Sequence, residues 1–114
     1  MEKLFPKTIE PVYETEKEML VLSDTFEALK KIKKESVDMI FADPPYFLSN
    51  DGITCQAGKM VSVNKGEWDK ADTLQEKHAF NRRWIKLCRA ALKPNGSIWI
   101  SGTLHNIYSI GMAL

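Results

Sequence analysis

The sequence predicts an α/β layered fold built on a parallel sheet, and three observations predict it. Short apolar runs alternate with amphipathic stretches in the order strand, helix, strand, loop, helix, strand, helix. The run Val37 to Ala42 breaks into Asp43-Pro44-Pro45-Tyr46, a turn that neither a helix nor a ladder can absorb. The longest amphipathic stretch, Leu74 to Leu92, keeps its apolar residues at helical spacing and stops at Pro94-Asn95-Gly96.

Each element follows from local chemistry. Residues 1–17 hold two prolines among mixed charges and read as an N-terminal arm without firm structure; the domain is expected over 18–114. Met19 to Leu22 is short and apolar, a strand by length and branching. Asp24-Thr25-Phe26-Glu27 has the form of a capping pattern. It opens a helix from Thr25 to about Lys34 that would bury Phe26, Leu29 and Ile32. Strand 37–42 and the Pro-Pro turn follow. Residues 49–73, with Gly52, Gly58 and Gly66, read as a long mobile loop. Loops of this length are functional or disordered, and both readings stand. Trp68 at its far end either packs beneath the turn or is an ordinary core or rim tryptophan. In the helix from Leu74 to Leu92, Phe80, Trp84, Leu87, Cys88 and Ala91 share one face. Arg82, Lys86, Arg89 and Lys93 share the other, a solvated face or a phosphate contact. Ser97 to Ser101 is the last strand. His105-Asn106 opens a final helix with Ile107, Ile110 and Leu114 on one face.

Composition bounds the function classes. The 114 residues make one small domain, with 44% apolar and 27% charged residues, an ordinary globular balance. A net charge of +1 gives no global electrostatic argument for nucleic acid. Cys55 and Cys88 are too few for a disulfide framework, and no metal-ligand spacing is present. Both cysteines suit a reducing cytoplasm. The N-terminus lacks an apolar signal core, and no apolar run reaches membrane length.

The chemistry sits in Asp43-Pro44-Pro45-Tyr46. At average residue usage this tetrapeptide arises by chance in roughly one of two thousand chains this long. A plain Pro-Pro turn is the bland alternative, but the motif also follows a strand, where open α/β sheets bind ligands. Its residue types fit one task, making an aromatic amino group nucleophilic. The exocyclic nitrogen of adenine or cytosine has its lone pair drawn into the ring, and acceptors aimed at its N–H groups release it. Asp43 offers a carboxylate and Pro44 a carbonyl. Tyr46 offers a flat face for an extruded base.

Val37 to Asn50 resembles the catalytic motif of amino-group DNA methyltransferases, and the similarity extends over about residues 18–114. Leu20-Val21-Leu22-Ser23-Asp24 and Leu92 to Ile100 fit the same family, as does Trp68-Asp69. More narrowly, the chain resembles restriction–modification adenine methyltransferases of the permuted β class, in which the catalytic half comes first. The resemblance implies a Rossmann-like methyltransferase fold, here partial, with about half of the parallel sheet. It implies S-adenosylmethionine as cofactor and double-stranded DNA as partner, with methylation of adenine N6 after base flipping. It makes Asp43, Pro44, Pro45 and Tyr46 catalytic and places Asp43 and Pro44 beside the cofactor. Asp24 would hold the adenine amino group of the cofactor or serve only as a helix N-cap.

The family's Phe-x-Gly-x-Gly cofactor loop has no match; Gly102 and Gly111 stand isolated. In the permuted class that loop and the target-recognition region lie C-terminal to the catalytic half. The run Gly111-Met112-Ala113-Leu114 reads as an uncapped helix, so the sequence reads as a catalytic half that needs its complement and is inactive alone. A homodimer is compatible. Three alternatives stay open: methylation of cytosine N4, a methyltransferase acting on RNA or a protein glutamine, and a truncated or split non-catalytic subunit.

Overall fold

The structure, a computed structural model, describes residues 4–5, 9–47 and 73–114 and the backbone of 53–56 and 59–62. The readings of Trp68 and of the Cys55 side chain lie outside the described residues. The chain divides into two compact units, residues 1–41 with 83–99, and residues 42–82 with 100–114.

In the first unit, β1 (Tyr13–Glu14) pairs antiparallel with β2 (Met19–Leu20), Tyr13 opposite Leu20. Two expectations change here. Residues 13–14, read as part of an unstructured arm, form a strand. Of the run Met19–Leu22, read as a strand of the parallel sheet, Met19 and Leu20 pair with them instead, and Leu22 is 88% exposed. The cause is local turn chemistry. Thr15 Oγ1 accepts from the backbone N–H of Lys17 and Glu18, at 3.3 and 3.0 Å. Closing so short a loop costs less than reaching a distant strand.

Helix α1 (Thr25–Lys31) opens as its cap predicts. Asp24 Oδ1 accepts from the N–H of Phe26 at 3.0 Å and of Glu27 at 3.2 Å. It ends earlier than expected, because Ile32 is extended and Glu35 adopts a positive φ of 51°. Phe26, Leu29 and Ile32 are half-buried, and the Arg83 guanidinium lies 3.9 Å from the centre of the Phe26 ring. Strand β3 (Val37–Ala42) falls where predicted and pairs with β6 (Leu92–Ile100). The pair is parallel, the small parallel sheet of a mixed helix and strand chain. Just ahead of it, the N–H groups of Glu35 and Ser36 donate in step to the carbonyls of Ala90 and Ala91.

Strand β6 starts at Leu92 rather than Ser97, so Pro94-Asn95-Gly96 lies inside it instead of ending the preceding helix in a loop. Gly96 tolerates this position because it lacks a Cβ. A Cβ there would come within 3.0 Å of the Lys93 carbonyl and 3.1 Å of the Asp38 carbonyl. The core of this unit is one face of α2 (Leu74–Ala91): Trp84, Ile85, Cys88 and Ala91. Burial pushes the Cys88 thiol up to about 11, which keeps it protonated. Leu87 is half-buried, while Lys86 and Arg89 are exposed.

In the second unit, β4 (Ile53–Gln56) and β5 (Lys59–Ser62) form an antiparallel pair inside the stretch read as loop. Ile53-Thr54-Cys55 and Met60-Val61 are consecutive β-branched or apolar residues, which suit a strand better than a coil. The start of α2 is fixed by a reciprocal capping box. Glu76 N–H donates to Thr73 Oγ1 at 3.0 Å, and Thr73 N–H donates to Glu76 Oε2 at 3.2 Å. Helix α3 (Ile107–Ala113) begins after Asn106, as expected. Of its predicted apolar face, Ile110 is 1% exposed, whereas Ile107 and Leu114 are 39% and 64% exposed.

Candidate active site

The tetrapeptide begins directly after β3, and the second unit builds the site around it. Asp43 is exposed, and its Oδ1 accepts from the Tyr46 hydroxyl and from Ser101 Oγ, each at 2.5 Å. Tyr46 and Ser101 are themselves 3.0 Å apart, oxygen to oxygen. Three oxygens thus share two hydroxyl protons. A carboxylate is the stronger acceptor, and short O–H···O⁻ contacts mark charge-assisted bonds, so both protons point at Asp43. The Asp43 carboxylate thus takes two hydroxyl donors on one oxygen, Oδ1.

The next turn of the motif is held from below by a buried polar chain. Asn106 Nδ2 donates to the Pro45 carbonyl at 3.3 Å. Its Oδ1 accepts from Asn81 Nδ2 at 2.9 Å. Asn81 also donates to Ser109 Oγ at 3.0 Å, and Ser109 Oγ lies 2.8 Å from His78 Nδ1. Asn81 and Asn106 are 0% and 3% exposed, so these bonds replace water that cannot reach them. Asn106 spends its side chain on the motif and makes no cap bond to α3. With Pro45 engaged, nothing among the described residues donates to the Pro44 carbonyl, the second predicted acceptor. The motif ends at Phe47, which is buried with φ of 57° and meets Phe80 edge-on at 5.3 Å.

The sequence-predicted residues thus divide. Asp43 and Tyr46 meet directly, and Pro44 and Pro45 carry the backbone between them. Asp24 belongs to the first unit, where its carboxylate caps α1. Ser101, Asn81, Asn106, Ser109 and His78 were not singled out as site residues. Asn81 had a visible signal, a short polar residue four positions before Ile85 on the apolar face of a helix. Among the described residues no cluster of His, Cys, Asp and Glu could hold a metal ion.

Comparison with known proteins agrees with these observations. The chain matches the DNA methylase family over residues 37–114, most of its length, and belongs to that family. It is 64% identical over 104 residues to the Type II methyltransferase M2.LlaDCHI of Lactococcus lactis subsp. cremoris, covering 91% of this chain and 39% of that protein. The Type II methyltransferase M2.DpnII of Streptococcus pneumoniae gives the same identity and coverage. M.HinfI of Haemophilus influenzae is 43% identical over 93 residues, 81% of this chain and 26% of that protein. The chain therefore spans well under half the length of these relatives.

Proposed function

We propose that this chain carries the catalytic segment of a restriction–modification DNA methyltransferase that methylates adenine at N6. The observation that carries the reading is the convergence of two hydroxyl donors on Asp43, in a motif attached to the end of a parallel strand. The family embraces methylation at adenine N6 and cytosine N4, and aspartate as the first motif residue favours adenine by resemblance. S-adenosylmethionine supplies a methyl group bound to positively charged sulfur. The chain's residues fit the acceptor side of that chemistry. Asp43 and the Pro44 carbonyl accept the two amino N–H bonds of a flipped base, which returns the nitrogen lone pair for in-line attack. Asp43 holds the amino proton as charge grows on nitrogen. Tyr46 stacks on the base, and Asp43 and Pro44 face the cofactor; Asp24, in the other unit, either binds the adenine amino group of the cofactor or only caps α1.

The same reading makes the β3–β6 pair with its helices part of a Rossmann-like sheet, about half of it. It takes double-stranded DNA as partner and assigns the glycine-rich cofactor loop and target recognition to a complementary region. A cytoplasmic setting suits it, and no helix among the described residues is long and apolar enough to cross a membrane.

The test is a chimera in which this chain replaces the matching segment of the Lactococcus relative. Incubated with tritiated S-adenosylmethionine and unmethylated DNA, it should yield N6-methyladenine on nucleoside analysis. Asp43→Ala should abolish this while leaving DNA binding intact. Turnover of Asp43→Ala within tenfold of the parent, about 1.4 kcal/mol of barrier, would sink the assignment. Label in N4-methylcytosine would transfer it to the cytosine reading.

A further inference from the structure

We infer that Ser101 is the positioning residue for the Asp43 carboxylate, an inference that rests on the reading of Asp43 as the amino-group acceptor. Ser101 follows the last residue of β6, as Asp43 follows the last residue of β3. Its N–H donates to the Ala42 carbonyl at 3.0 Å, which ties its backbone to the residue that carries Asp43. From that fixed point its hydroxyl reaches Asp43 Oδ1 at 2.5 Å, against 3.4 Å to the Ala42 carbonyl. The shorter contact to the charged acceptor takes the proton.

Tyr46 also donates to Oδ1, but the two donors differ in what the chemistry asks of them. Tyr46 lies in the turn, and a base arriving to stack must be met by its ring. Ser101 is half-buried at a strand end and can stay while the base exchanges for the phenol. A carboxylate that keeps the Ser101 bond holds its rotamer through that exchange. The role is therefore one of geometry at the reacting nitrogen, felt in the chemical step more than in substrate binding.

The experiment compares Ser101→Ala and Ser101→Thr in the chimera, with Asp43→Ala alongside. Ser101→Ala should lower kcat by about 10- to 100-fold, the usual weight of a hydrogen bond to a charged group, with KM for DNA and cofactor within about threefold. Ser101→Thr retains the hydroxyl and should restore kcat to within about fivefold of the parent. Ser101→Ala at full kcat, while Asp43→Ala is inactive, would overturn this inference alone. Equal damage from Ala and Thr would also overturn it, since the role would then be packing. Full activity of Asp43→Ala would remove the acceptor reading, and this inference with it.

Discussion

Replacing Asn81 by aspartate changes one NH₂ group to oxygen and leaves the volume almost untouched, so it isolates the polarity of the buried chain beneath the motif. Asn81 Nδ2 now donates to Asn106 Oδ1 at 2.9 Å and to Ser109 Oγ at 3.0 Å. Ser109 can turn its hydroxyl to donate to the new oxygen. Asn106 cannot adjust freely: turning its amide would set Oδ1 against the Pro45 carbonyl, acceptor against acceptor. One bond is lost, about 0.5–1.5 kcal/mol, and one buried acceptor is stranded, about 1–3 kcal/mol more. The sum is about 1.5–4.5 kcal/mol. A buried carboxyl resists ionisation, so its folded-state pKa lies above the unfolded value near 4. Protonated, it can donate to Asn106 and recover part of the loss. Below the unfolded pKa the ionisation penalty is absent; it grows as pH rises above it. Thermal melting of the Asn81→Asp chimera should therefore fall by roughly 3–18 °C at pH 8, at about 2–4 °C per kcal/mol, and by less at pH 5. An unchanged midpoint at both pH values would refute a stabilising role for the chain. A larger drop at pH 5 would refute the polarity argument.

Four further outcomes are expected. Tyr46→Phe should keep substantial turnover, because its ring still stacks and the arriving base displaces the phenol from Asp43; 2-aminopurine fluorescence at the target base should report a flipping defect of about 1–3 kcal/mol only for Tyr46→Ala. Asp24→Asn keeps the oxygen that caps α1 and Asp24→Ala does not, so only the latter should lower stability, by about 1 kcal/mol, while both raise KM for the cofactor. Unchanged cofactor KM in both would confine Asp24 to capping. Gly96→Ala, which drives a Cβ against two carbonyl oxygens, should destabilise by about 1–3 kcal/mol, whereas Gly111→Ala, with open space around it inside α3, should stabilise by up to about 1 kcal/mol; denaturant melts decide both. Cys88, with its thiol pushed up to about 11, leaves about one molecule in a thousand ionised at pH 8, so alkylation mapped by mass spectrometry should modify it only after denaturation.

What was legible in the sequence was what short-range chemistry decides. Strand 37–42 is an apolar run stopped by two prolines, and the structure stops it at Ala42. Helix 74–91 shows its period over five turns, and its start and end were each placed to within a residue. The strand at Met19 was misassigned because its partner was set by the Thr15 turn, a weak signal beside the expectation of a parallel sheet. Strand β6 was shortened because Pro-Asn-Gly reads as a stop; a glycine packed against two carbonyls carries the strand through instead. The residues that support the motif were invisible for another reason. Ser101 meets Asp43 across 58 positions, and Asn106 meets Pro45 across 61. No local pattern encodes such pairs.

The tetrapeptide and its surroundings divide the work. Two prolines strip the turn of N–H donors, so its carbonyls are not consumed by local ladders, and this frees acceptors but fixes nothing. Rigidity must come from donors elsewhere in the chain. Ser101 contributes one from the end of β6, and Asn106 contributes another from the start of α3, itself held by Asn81 of α2. Each donor is anchored on regular structure, and each takes a different acceptor, Asp43 Oδ1 and the Pro45 carbonyl. The Pro44 carbonyl lies between these two held points, fixed through its neighbours.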